Sequence, residues 1–266
     1  MSLAKTFEIP GSLNDPILGE LSLDELLGGE VRIVQPKVGY RVSMDTVMLA
    51  ASVPAQPGER VIEAGSATGG AALCLAHRCQ DVEVMGLELQ ASMVALAKRN
   101  IAINGLGGRV DILEGCITDP PQRLQQQTFH HAFANPPYLE QGAAIISKTK
   151  TKGLAHMDST ARLKDWVKFA MSMVKNKGTL SFIFRTDRID ELITLLSPSV
   201  GGMRIFPLWP RPGVPAKRVI IQARKGMRGA AAVLPGIVLH GEADRYSEAA
   251  ERVLRDGEAL DLSAKG

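Results

Sequence analysis

Residues 60 to 70 run Arg60-Val61-Ile62-Glu63-Ala64-Gly65-Ser66-Ala67-Thr68-Gly69-Gly70, and the apolar stretch Ala71–His77 follows. A short strand thus passes through a turn of small residues into a helix, so a ligand can approach bare backbone and the helix N-terminus. The same residues also suit a plain tight turn between strand and helix. Because the glycines are Gly65, Gly69 and Gly70, the fingerprint G-x-G-x-x-G does not fit, which argues against a nicotinamide enzyme.

Outward from this turn, strand-like runs at Arg60–Glu63, Val82–Leu89, Val110–Leu113, His130–Ala134 and Thr179–Phe184 alternate with helical patterns. Val94, Ala97 and Ile101 recur at helical spacing, as do Leu163, Trp166, Ala170 and Val174. Such alternation predicts a doubly wound α/β sheet. Met203–Leu208 and Arg218–Ala223 differ, because only the Pro/Gly-rich stretch 209–217 separates them. No helix fits there, so the pair is expected to be antiparallel and to end the sheet in a hairpin. A mostly parallel sheet ending this way resembles the class I methyltransferase architecture, which implies seven strands with helices on both faces. The chain is expected to divide into a leader at 1–30, a main domain at 31–226, and a tail at 227–266 carrying a short helix, Ser247–Leu254, packed on the domain.

With 266 residues, 45% of them apolar, the chain has enough apolar side chains for one large core. The 31 Lys and Arg against 28 Asp and Glu give a net charge of +3, which permits nucleic-acid contact without demanding it. Cys74, Cys79 and Cys116 show no Cys-x-x-Cys spacing, and an odd count argues against a disulfide framework; a reducing cytoplasm fits best. Neither a secretory apolar region nor a run of ~20 apolar residues is present, so secretion and membrane insertion are not expected. His77, His130, His131, His156 and His240 lack metal-ligand spacing, and no metal site is expected.

The opening turn resembles the acidic-x-Gly-x-Gly-x-Gly loop of S-adenosylmethionine enzymes: Glu63, Gly65 and Gly69 match, and Ala67 replaces the middle glycine. That resemblance implies S-adenosylmethionine as cofactor, held by Glu63, Gly65, Ser66, Ala67 and Gly69. Glu88 ends the next strand, where a carboxylate can accept both hydroxyls of a ribose, and Leu89 adjoins it. After the third strand, Glu114-Gly115-Cys116-Ile117 occupies the place of a Gly-Asp pair whose Asp holds the adenine amino group in this enzyme class. A thiol is a weaker partner than a carboxylate, so backbone groups at Cys116 and Ile117 are expected to compensate. Cys116 has no base at a recognisable spacing and is not read as a nucleophile.

Residues 132 to 138 read Ala132-Phe133-Ala134-Asn135-Pro136-Pro137-Tyr138, an apolar run that stops at two prolines. Neither proline carries a backbone N–H, so the Asn135 side chain and the Pro136 carbonyl can face a ligand as acceptors. A planar amino group supplies two matching donors. The turn resembles the Asn-Pro-Pro-Tyr signature of amino-methyltransferases, which act on adenine or cytosine amino groups or on the glutamine amide. An exocyclic amino nitrogen has its lone pair conjugated into the ring, and two acceptors can pull it pyramidal for in-line attack on a sulfonium methyl. The resemblance assigns catalysis to Asn135, Pro136, Pro137 and Tyr138, with Tyr138 stacking on a flipped base, and counts Asn135 and Leu89 among the cofactor-binding residues too.

Further segments narrow the family. Leu27-Gly28-Gly29, Gln35–Asp45, Gly153-Leu154-Ala155-His156, Lys217–Gly226 and Leu234–His240 resemble those of the bacterial tRNA (adenine-N6)-methyltransferases, which modify adenosine beside the valine tRNA anticodon. The resemblance covers residues 21–256, implies tRNA as partner, and places Tyr40 and Arg41 over the methionine end of the cofactor. Methylation of protein glutamine or of another RNA or DNA base is the alternative, and a non-catalytic S-adenosylmethionine- or RNA-binding module is the alternative from another class. Lys148, Lys150, Lys152, Arg185, Arg188, Arg211, Lys217 and Arg218 follow strand ends and are candidates for phosphate contacts. Trp209 suits packing in the hairpin or contact with RNA.

Overall fold

The structure is a computed structural model that describes residues 12–137, 161–241 and 245–263. Three strands open the chain, β1 (Asn14–Asp15), β2 (Gly19–Leu26) and β3 (Val31–Pro36), and form a small antiparallel sheet in that order. The remaining elements are α1 (Met44–Ser52), β4 (Arg60–Ala64), α2 (Gly70–Arg78), β5 (Glu83–Glu88), α3 (Ala91–Ile103), β6 (Val110–Glu114), β7 (Phe129–Ala134), α4 (Leu163–Met173), β8 (Val174–Arg185), α5 (Ile189–Leu196), β9 (Val200–Trp209), β10 (Arg218–Lys225), β11 (Ala232–Val233), β12 (Ile237–Val238) and α6 (Glu248–Leu254).

The large sheet has the order β11-β9-β10-β8-β7-β4-β5-β6, with β12 also on β9. Strands β4 to β8 pair in parallel, and β10 lies antiparallel between β8 and β9. The seven expected strands are therefore joined by two more, because β11 and β12 from the tail pair in parallel along the outer side of β9. Such pairing covers a row of backbone N–H and C=O groups that an edge strand would otherwise expose. The tail then passes into α6, which packs on α1, and Leu260 N donates to Ala51 O at 2.9 Å.

One apolar cluster on each face explains why these runs became strands. Val61, Leu73, Leu75, Ile112 and Ile183 lie in one, while Ile62, Leu113, Phe129, Phe182 and Ile221 lie in the other. Adjacent residues such as Val61 and Ile62 point to opposite faces, as the period of two requires.

The expected division at residue 30 falls between β2 and β3, inside a hairpin whose register runs from Leu21 opposite Pro36 to Leu26 opposite Val31. The first thirty residues are thus not a separate leader over their described part. The hairpin is fastened to α3 by two asparagines one helical turn apart. Asn100 Oδ1 accepts from Val34 N at 2.8 Å and its Nδ2 donates to Val34 O at 2.9 Å, while Asn104 does the same to Arg32 N and O at 2.8 and 2.6 Å. Two side-chain amides thereby replace the strand that β3 lacks on that side. Asn100 Nδ2 also donates to Thr68 O at 2.9 Å, which ties the hairpin to the turn after β4.

Candidate active site

The chain places β5 and then β6 on one side of β4, then reverses to put β7 on the other. A crevice at such a switch point, outside the carboxyl ends of the strands, is where open α/β sheets bind ligands. Ala64 pairs with Ala134, so the turn at Gly65 and the turn at Asn135 leave adjacent strands side by side.

The first of these turns is held tightly. Gly65 N and Ser66 N donate to Leu87 O at 2.8 and 3.2 Å, and Gly69 N donates to Ser66 O at 2.8 Å. Gly65, Ala67 and Gly69 all have left-handed backbone, with φ of 69°, 46° and 82°. Only Ala67 carries a Cβ there, at a cost of ~1–2 kcal/mol. Gly65 has a second constraint: a Cβ at this residue would lie 2.4 Å from the Trp166 ring of α4. Trp166 is buried beneath the turn, and its indole N–H has no hydrogen-bond partner among the described residues. Sequence reading placed Trp166 on an apolar helix face and missed this contact, which depends on α4 crossing the end of β4.

Two buried carboxylates face the crevice. Glu63 is 5% exposed, and burial pushes its pKa up to about 8, against the smaller downward pull of the Ala72 amide and the Ser66 hydroxyl nearby. Among the described residues, neither Glu63 Oε2 nor Ser66 Oγ completes a hydrogen bond, and Thr68 Oγ1 is a third buried orphan. Glu88 is also raised by burial, although Ala67 N and Gln90 N each donate to one of its oxygens at 2.9 Å. Each of those oxygens keeps a lone pair for a further donor, which suits the two hydroxyls of a ribose. No Lys or Arg pairs with either carboxylate among the described residues. A phosphate would be repelled here, whereas a ligand carrying an ammonium and a sulfonium would be drawn in.

Tyr40 exposes 39% of its surface, yet its hydroxyl end reaches inward. Its pKa is raised by burial first and then by the negative charge of Glu63, with the Thr46 side chain as hydrogen-bond partner. Arg41 does not join it. Its guanidinium donates to Ser22 Oγ, Pro36 O and Asp24 Oδ2, each at 3.0 Å, because the β2–β3 hairpin surrounds it with acceptors. Leu89 and Ile117 are half-buried at the ends of β5 and β6. Cys116 Sγ lies 3.0 Å from Thr118 Oγ1 in a turn closed by Asp119 N to Cys116 O at 3.1 Å. The thiol is thereby engaged locally.

Asn135 is half-buried, Pro136 is buried and Pro137 is exposed at the end of β7. Tyr138, the three lysines at 148, 150 and 152, and His156 lie outside the described residues. Among the basic residues, Arg218 pairs with Asp45 at 2.7 Å, Arg185 pairs with Asp187, and Arg188 pairs with Glu191 at 2.7 Å while lying over the Phe184 ring. All three guanidinium groups therefore have carboxylate partners within the chain. His130 accepts from Arg60 N at 3.0 Å and His131 contacts Glu59 at 2.7 Å, at the amino ends of β7 and β4 and away from the crevice. No group of three or more potential metal ligands occurs among the described residues, and no helix among them is long and apolar enough to cross a membrane.

A family model described as "Methyltransferase domain" matches residues 61–148. The chain is 31% identical over 157 residues to a tRNA1(Val) (adenine(37)-N6)-methyltransferase of Haemophilus influenzae (strain PittGG), covering 58% of this chain and 65% of that protein, just under two thirds. It is 30% identical over 167 residues to the protein of the same name from strain PittEE, covering 62% of this chain and 69% of that protein. The chain belongs to this family. Its fold is similar to that in a crystal structure of a predicted O-methyltransferase, protein Atu636 from Agrobacterium tumefaciens: TM-score 0.67, 25% identity, 82% of this chain and 98% of that one. The protein is an S-adenosylmethionine-dependent methyltransferase of class I architecture. The orphaned Glu63, Ser66 and Thr68 atoms and the two uncompensated carboxylates fit that cofactor.

Proposed function

We infer that the protein transfers a methyl group from S-adenosylmethionine to the exocyclic amino nitrogen of an adenine in tRNA. One observation carries the reading: the pairing of Ala64 with Ala134 sets the Asn135-Pro136-Pro137 turn against the Gly65 turn. This supports a reading in which hydrogen-bond partners for the amino acceptor and a binding loop for the donor share one crevice.

The bound cofactor supplies an electrophilic sulfonium methyl. Glu88 would hold its ribose hydroxyls, Glu63 and the Tyr40 hydroxyl would flank its charged end, and the bare backbone of Gly65 to Gly69 would allow close approach. Asn135 Oδ1 and the Pro136 carbonyl would accept the two amino protons of adenine, localising the nitrogen lone pair toward the methyl. No strong base is required before transfer. A hydroxyl acceptor would offer only one proton to these two acceptors, so the turn favours an amino group over the O-methyl chemistry in the structural neighbour's name. Substrate choice is supported by the family's tRNA-modifying members, and Tyr138 as a stacking partner is supported by the motif. A cytoplasmic location goes with tRNA and with three free cysteines.

The test is incubation of wild-type and Asn135→Ala protein with unmodified tRNA and labelled S-adenosylmethionine, followed by mass spectrometry of nucleosides. We expect N6-methyladenosine from the wild type and about a hundredfold lower kcat from the variant. Wild-type protein that methylates no adenosine in any tRNA would overturn the reading.

A further inference from the structure

Trp209 is the last residue of β9. Its indole Nε1 donates to Pro235 O at 2.9 Å, which fixes the edge of the ring while the residue remains only half-buried. With Arg211, Pro212, Val214, Pro235 and Val238, Trp209 lines an open cavity of about 510 Å³, within the ~300–1,000 Å³ usual for ligand pockets. Val214 exposes 39% of its surface, and Arg211 is the one charged residue of the described lining. Beside this wall, His240 N donates to Pro210 O at 3.1 Å, and the His240 and Tyr246 rings stack with centroids 4.9 Å apart. The described surface is aromatic and apolar, with one guanidinium at its rim.

Its position relates it to the crevice. Both β8 and β9 pair antiparallel with β10, so β9 runs in the direction of β7 and Trp209 stands on the same edge as Asn135. Leu208 and Arg185 are both level with Arg218, while Phe182 is level with Ala134. Strand spacings of ~4.8 Å and a rise of ~3.3 Å per residue put the two strand ends roughly 17 Å apart. An unstacked strand of RNA covers that distance in a few nucleotides.

We propose that the cavity at Trp209 binds an unpaired base flanking the methylated one, stacked on the indole, with its phosphate near Arg211. The proposal rests on RNA being the substrate. Every base has a π-face that an exposed indole can stack upon, and a guanidinium at the rim suits the adjoining phosphate. An acidic peptide would use the charge but would leave the aromatic face without a flat partner.

The test measures binding separately from turnover. Fluorescence anisotropy with a labelled anticodon-arm RNA hairpin gives Kd for wild type, Trp209→Ala and Trp209→Phe, and for a second hairpin with abasic sites flanking the acceptor adenosine. Trp209→Ala should weaken binding about tenfold, Trp209→Phe should stay within about threefold, and the abasic hairpin should bind Trp209→Ala and wild type alike. Equal Kd for wild type and Trp209→Ala, or equal loss in the Phe and Ala variants, would overturn the stacking role. Wild-type protein that binds no hairpin overturns both this proposal and the substrate reading. If the hairpin binds with Trp209 dependence but is never methylated, the cavity stands and the substrate reading falls.

Discussion

Replacing Asn100 by leucine removes the clip between α3, β3 and the turn after β4 while keeping the branching and the number of side-chain heavy atoms. Asn100 is fully buried, and its amide makes three hydrogen bonds, from Val34 N at 2.8 Å and to Val34 O and Thr68 O at 2.9 Å. Each such bond contributes ~0.5–1.5 kcal/mol net, and a buried group left without a partner costs ~1–3 kcal/mol. Three partners lost at once give about 3–4 kcal/mol of destabilisation, or a fall in Tm of about 6–16 °C for a chain of this size. Urea and thermal unfolding followed by circular dichroism measure this directly. Asn104→Leu is the control: it breaks two bonds to Arg32 and one to Asn100 O, but the residue is only half-buried, so water can replace them and the cost should stay near ~1 kcal/mol. Because Thr68 belongs to the cofactor turn, Asn100→Leu should also weaken S-adenosylmethionine binding in calorimetry while Asn104→Leu should not. If the two variants are equally stable, the clip does not work as described.

Other expectations follow from the two turns. Glu63 holds its proton in the folded state up to about pH 8 but releases it near the ordinary carboxyl value of 4.5 when unfolded. Its contribution to stability is therefore complete below about pH 4.5 and is lost as pH rises toward 8. Glu63→Gln removes this titration, so its Tm should gain on that of wild type between those limits; parallel curves would refute the assignment. Cofactor binding to wild type should release a proton near neutral pH, seen as a buffer-dependent calorimetric enthalpy that Glu63→Gln lacks. Ala67→Gly relieves ~1–2 kcal/mol of left-handed strain but loses a buried methyl worth ~0.8 kcal/mol and gains ~0.4–1 kcal/mol of unfolded-state entropy. Its stability should stay within about 1 kcal/mol of wild type by urea titration, and a larger loss would mean that the methyl packs as a required part of the turn.

The strands of the large sheet were legible because each is a short apolar run with a turn at either end, and the absent crossover helix before Arg218 announced the hairpin. Glu63, Glu88 and Asn135 stand out as candidates for a related reason: each lies at or next to a strand end beside a turn rich in small residues or prolines, where a polar side chain is conspicuous. Contacts between elements were not legible. Arg41 reads like a cofactor residue until the hairpin that takes up its guanidinium is seen. Asn100 and Asn104 look like an ordinary polar stripe of a helix, since nothing local records that a strand edge passes there. Arg185, Arg188 and Arg218 look like phosphate ligands until Asp187, Glu191 and Asp45 are found beside them, and Asp45 lies in α1, far away in the chain.

The tail that runs along β9 has a consequence for the order in which the protein is made. Residues 232–238 cover the β9 side of the sheet, yet they leave the ribosome after every strand they protect. Until then β9 presents unpaired backbone beside an apolar cluster, the condition under which nascent chains pair with one another. Synthesis therefore passes through an interval in which the methyl-transfer crevice can already have formed while the sheet is still adhesive. A chain stopped near Gly226 would keep the strands that carry the site and remain in that state.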